Sequence, residues 1–89
     1  TAKIFLQAVP DGYDILNLQV KMKRIKGVLD IHDIHLWSLD GVNNIISLHC
    51  VVIKDLDIEK VNKIKLKLKR YLNHIRINHA TIEIEYENL

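Results

Sequence analysis

The sequence predicts an α+β half-sandwich, one sheet with helices on a single face, from three observations. Two segments, 13–26 and 57–73, space their apolar residues as a helix does. Residues 28–39 and 44–53 are rich in Val, Ile, Leu and Trp, with the turn-forming "DGVN" between them, which is a hairpin. "ATIEIEY" (80–86) alternates apolar and polar residues as a half-buried strand does. The order α-β-β-α-β corresponds to a ferredoxin-like sandwich: a three-stranded sheet, two helices on one face and the other face open. A right-handed crossover is expected to return the third strand beside the first.

Each element has its own signals. Residues 2–9 are apolar, end at Pro10 and read as a poorly anchored lead-in; "PDG" at 10–12 is a turn. From Asp14 the stripe Ile15, Leu18, Met22 and Ile25 runs until Gly27 stops it. Asp57 is placed to cap the second helix, with Ile58, Val61, Ile64, Leu68 and Leu72 on one side. Within it "KIKLKLK" alternates like a strand, but the longer stripe and the helix-forming Lys and Leu favour helix.

Composition narrows the function. Eighty-nine residues suffice for one modest core, and 48% apolar with 27% charged residues is globular rather than disordered. A net charge of +2 is too small to argue for nucleic acid by itself. The single Cys50 excludes an internal disulfide and fits a reducing compartment. No apolar run approaches a membrane span. The first residue is Thr1 rather than Met, which reads as a piece of a longer protein.

Chemistry concentrates in "IHDIHLWSL" (31–39). His32 and His35 are three apart, so on an unbroken strand they point to opposite faces and cannot share an ion without a bulge. A two-residue turn at Asp40-Gly41 puts His32 opposite His49; a four-residue loop shifts the pairing but keeps both on one face; a three-residue loop separates them. With an even loop, the open face gathers His32, His49, Ile34, Leu36, Ser47 and Val51. His35, Trp37 and Cys50 then lie on the core face with Ile31. Ile82 and Ile84 belong to that core, so Glu83 and Glu85 join the open face. Two imidazoles and a carboxylate suit Zn²⁺ or a similar divalent cation. The plainer alternative is that these are ordinary polar residues on a half-exposed sheet. His35 is then a hydrogen-bonded core histidine, His74 complements the end of the second helix and Cys50 is a small core residue, while His79, just before the third strand at the sheet edge, fits either reading. Asp33 is either paired and partly buried or pushed outward by a bulge.

"GVLDIHDIHLWSLDGVNNIISLHCVV" resembles the G-V-x-x-V-H-D-L-H-V-W-S-L … L-S-x-H-V-V-V pattern of the cation diffusion facilitator family, in its C-terminal cytoplasmic domain. "INHATIEIE" resembles that family's closing I-x-H-x-T-I-Q-x-E, and "FLQAVPDGYD" its L-L-E-G-T-P-x-G-x-D after the last membrane helix. The resemblance spans nearly the whole chain. It implies a linker over 1–10 and a metal-binding, dimerising cytoplasmic domain over 11–89. The partners it implies are a second copy in a V-shaped homodimer and a six-helix membrane domain of the same chain, which exports zinc-like cations against protons. It implies regulatory metal, Zn²⁺ or a related divalent cation, at His32, His49 and Glu85, with His79 a second-site contributor. Gln7-Ala8 replaces the Glu-Gly of the pattern, and Glu83 replaces its Gln, adding a carboxylate beside Glu85. Neither a histidine in the second helix nor a C-terminal cysteine pair is present, which leaves open a weak site, one completed by water, or one shared across the dimer.

Two other function classes fit parts of the sequence. Lys60, Lys63, Lys65, Lys67, Lys69 and Arg70 suit a nucleic-acid-binding module or a lipid surface, but a solvated basic face explains them too, and the sheet lacks stacking aromatics. Nucleic acid is therefore not expected as a partner. No zincin motif or nucleophile–base pair at useful spacing points to an enzyme.

Overall fold

The structure, a computed structural model, describes residues 10–87 and the backbone strand Ile4–Phe5. The elements are β1 (Ile4–Phe5), α1 (Ile15–Lys23), β2 (Asp30–Ser38), β3 (Asn44–Val52), α2 (Ile58–His74) and β4 (Ile77–Tyr86). All the expected helices and strands are present, α2 and the hairpin within a residue or two of their expected ends. Two residues of the lead-in add a short edge strand; the rest of 1–9 lies outside the described residues.

The sheet order is β1-β2-β3-β4, with β1 parallel to β2, β2 antiparallel to β3 and β3 parallel to β4. The last strand therefore lies beside the second strand of the hairpin, not the first as expected. The outer edge of β2 is taken by β1, and α2 supplies the crossover that a parallel β3–β4 pair needs.

Both helices cover one face. Ile15, Leu18 and Met22 of α1, and Ile64, Leu68 and Leu72 of α2, join Ile31, Ile34, Leu36, Ile46, Leu48 and Val52 in one core. Burying side chains of this size contributes about 1.5–3 kcal/mol each before chain entropy is subtracted. Asp14 caps α1 by accepting from the Leu16 and Asn17 amides, and Asp57 caps α2 through the Lys60 amide. The Tyr13 hydroxyl donates to the Ile75 carbonyl at 2.7 Å and accepts from Asn44 Nδ2 at 3.0 Å, tying the start of α1 to β3 and the end of α2.

The hairpin has a loop of five residues, longer than the two-, three- and four-residue loops considered from the sequence. Its last ladder pair is Ser38 with Asn44, leaving the odd loop Leu39–Asn43. Asp40 organises it, accepting from the Val42 and Asn43 amides at 2.9 and 2.7 Å, which holds its carboxyl below the usual range. An odd loop alone would set His32 opposite Cys50, facing the core. Instead the register slips between His32 and His35, where Asp33 takes a left-handed conformation with φ of 51°. This is a bulge, and Asp is among the few side chains that tolerate that conformation.

The bulge corrects part of the face assignment. Ile34 and Leu36, expected on the open face, are fully buried in the core. His35, expected to be a core histidine beside Cys50, is exposed on the open face, and Trp37 follows it there half-buried. His32 and His35 therefore share a face after all.

Gly27 turns the chain between α1 and β2 at φ of 97°, and a Cβ there would sit 2.6 Å from Ile64 Cδ1. Gly27→Ala should cost about 1–3 kcal/mol, read as a fall of several degrees in Tm by thermal denaturation.

Candidate metal centre

Three strands deliver the site. β2 and β3 set His32 directly opposite His49, their ring centroids 5.3 Å apart and edge-on at 66°. In β4, Glu83 pairs with His49 and Glu85 with Val51, which brings both carboxylates to the same face. Glu85 closes the cluster, its two oxygens lying 2.7 Å from His32 Nε2 and 2.5 Å from His49 Nδ1. The bulged Asp33 adds an oxygen 3.5 Å from Nδ1 of both His32 and His49. Glu83 stands further out, 3.9 Å from His49 Nδ1 and 66% exposed against 35% for Glu85.

The electrostatics follow from these contacts. The hydrogen bond to Glu85 raises the His49 pKa above its usual value, partly offset by desolvation and aided by the charges of Glu83, Glu85 and Asp33. Reciprocally, hydrogen bonds from His49 and then His32 lower that of Glu85.

Donor atoms of His32, Asp33 and His49 all lie within 4.8 Å of one another, as do those of His49, Glu83 and Glu85. Both triads share His49. Imidazole nitrogens with carboxylate oxygens are a donor set fitted to Zn²⁺ and neighbouring divalent ions. His32, His49, Glu83 and Glu85 are thus brought together. His79 is not: it lies on the same face but pairs with Ile45, four residues along β4 from Glu83, roughly 13 Å away at strand spacing. Asp33 was left undecided by the sequence; its signal was that Asp, in the middle of an apolar strand, is one of the residues a left-handed bulge accepts. Cys50 takes no part, being buried in the core with its thiol pushed up to about 11 by desolvation.

Comparison with known proteins matches residues 10–87 to the family described as the cytoplasmic domain of cation efflux proteins. The chain belongs to that family. It is 32% identical over 84 residues to a cadmium, cobalt and zinc/H(+)-K(+) antiporter of Bacillus subtilis, covering 94% of this chain and 27% of the antiporter. It is 34% identical over 85 residues to the zinc transporter ZitB of Yersinia pestis, covering 93% of this chain and 26% of ZitB. This cation efflux domain therefore spans about a quarter of the length of these transporters. Among solved structures, it resembles the metal-bound C-terminal domain of the CzcD transporter from Cuprividus metallidurans (26% identity, TM-score 0.69, covering 82% of this chain and 99% of that one). It shares its fold with the putative zinc transporter CzrB (23% identity, TM-score 0.71, covering 83% and 93%). No helix among the described residues of the efflux domain is long and apolar enough to cross a membrane.

The shifts give a signed pH dependence for the metal-free domain. His49 binds its proton more tightly when folded, so its stabilisation is full below about pH 6.5 and is lost as pH rises through its raised pKa. The lowered Glu85 stabilises above about pH 4.3 and loses its effect as pH falls through its own folded pKa. Thermal melts in chelator should therefore peak in mildly acidic buffer and decline toward alkaline pH, and Glu85→Gln should flatten that profile.

Proposed function

We propose that this chain is the regulatory cytoplasmic domain of a divalent-cation efflux transporter, which binds Zn²⁺ or a related ion, dimerises, and through both controls export by a membrane domain of the same protein. The observation that carries the reading is the convergence of His32, His49 and Glu85 from three strands on the uncovered face of a cation efflux domain. Asp33 and Glu83 stand ready as the further oxygen donors. The relatives named above are transporters of cadmium, cobalt and zinc, and the CzcD domain is metal-bound. His79 is too far along β4 to complete this group within one subunit.

The metal-free pairing explains why binding would be proton-coupled. A His49 imidazolium would have to lose a proton before it could serve as a ligand, which the raised pKa makes harder as pH falls, and Glu85 would exchange an imidazole hydrogen bond for a metal contact. The carboxylates on this face also weigh against the nucleic-acid alternative, since they would repel phosphates from the sheet.

Calorimetric zinc titration tests the assignment. His49→Ala should weaken binding by on the order of 10–100-fold or more, whereas His35→Ala should leave it unchanged. Affinity should fall as pH drops through the imidazole range, starting above about pH 6.5 because the His49 pKa is raised. Binding that is flat across that range, or intact in His49→Ala, overturns the ligand set. Sedimentation should show a dimer with zinc; a monomer at high concentration with and without zinc rules out the dimer.

A further inference from the structure

We propose that the outer surface of the helical layer docks on an anionic lipid membrane, with α2 lying along the headgroups. The inference rests on the membrane-attached parent proposed above, but not on the metal site.

Beyond the N-terminal ends of the helices, where Asp14, Asp57 and Glu59 sit, the length of α2 is basic while the sheet face carries a carboxylate cluster. From Lys60 to His74, α2 contains no acidic residue, and Lys60, Lys63, Lys67 and Arg70 follow one another at three- and four-residue steps along one flank. At 1.5 Å per residue that stripe is about 15 Å long. Across a groove floored by Gly27, Leu56 and Ile64, Lys26 adds a fourth ammonium to those of Lys60, Lys63 and Lys67. Among the described residues, the one lysine–carboxylate ion pair is Lys23 with Asp30, so the α2 cations have no internal partners. The carboxylates Asp33, Glu83 and Glu85 sit on the opposite, sheet face, and would be turned away from a negative surface.

Exposed apolar side chains lie on the outer surface of both helices. Leu66 of α2 is 49% exposed and Leu16 of α1 is 63% exposed, with Val20 beside it one turn on. Each points away from a helix face that is already buried on the sheet. Lysine heads reaching lipid phosphates around leucines that enter the headgroup layer is the arrangement interfacial helices use. A soluble polyanion would account for the lysines but not for the exposed Leu66 on the same helix.

Vesicle co-sedimentation of this chain tests it. Binding should be clear to vesicles of equimolar phosphatidylcholine and phosphatidylserine, absent with phosphatidylcholine alone, and lost at high ionic strength. Each lysine or arginine near the surface accounts for roughly a five-fold change in partitioning, so K63Q/K67Q/R70Q should bind on the order of 100-fold more weakly. Lys54→Gln, away from the stripe, should have little effect. Leu66→Ser tests the apolar contact and should weaken binding without changing its salt dependence. Circular dichroism confirms that each variant is folded. Equal binding to both vesicle types, no binding to either, or full binding by the triple variant overturns the proposal. So does a DNA duplex that displaces the protein from the mixed vesicles, which would make the face a nucleic-acid surface. Zinc titration on the same samples keeps the two readings apart: a protein that binds zinc but ignores vesicles loses only this one.

Discussion

One extra residue in β2 sets both faces of the sheet. The loop Leu39–Asn43 is odd, so a plain ladder counted back from Ser38 and Asn44 would turn His32 inward against Cys50 and Ile31 outward. Asp33 absorbs one residue in a left-handed conformation, and beyond it the strand resumes with Ile31, Ile34 and Leu36 all buried. A strained non-glycine backbone costs of order 1–3 kcal/mol. Burying Ile31 rather than exposing it contributes a similar or larger amount, so the hydrophobic pattern itself holds the bulge in place. The same local twist re-aims His32 and lifts the Asp33 carboxylate toward both imidazoles.

The core and the candidate site are therefore two sides of a single register. β3 alternates strictly, with Asn44, Ile46, Leu48, Cys50 and Val52 inward and Ile45, Ser47, His49 and Val51 outward. Because β3 is central, it carries His49 between the β2 histidine and the β4 glutamates, and both donor triads contain it. Loss of order in β2 or β4 would each dismantle half of the group, which ties the candidate site to the integrity of the whole sheet.

Charge is arranged with the same economy. A chain of net charge +2 places a run of cations on α2 and a cluster of carboxylates on the open face of the sheet. Within that cluster the hydrogen bond between His49 and Glu85 raises the pKa of the first and lowers that of the second. The two layers thus present different chemistry: hydrogen-bonded histidines and carboxylates on the sheet face, and along α2 a run of cations without an ion-pair partner among the described residues.

The helices, the hairpin and the last strand were legible because periodicity of apolar residues is a local property, and Asp57 announced its own cap. Placement of Glu83 and Glu85 opposite the core-facing Ile82 and Ile84 followed from alternation within β4 alone. That His32 and His49 share a face was inferred from an even loop, and it holds through an odd loop corrected by a bulge. Beyond the bulge the same inference fails, which is why Ile34, Leu36, His35 and Trp37 were assigned to the wrong sides. Neither loop length nor bulge is written in a periodicity, because each depends on which ladder buries the most apolar surface once the helices are in place. The neighbour of β4 is likewise a tertiary matter, settled by which sheet edge remains after Ile4–Phe5 pairs with β2. Sequence by itself determined the elements, the candidate donor residues and the family resemblance; only the assembled sheet decided which side chains meet, since one residue of register reverses every face it passes.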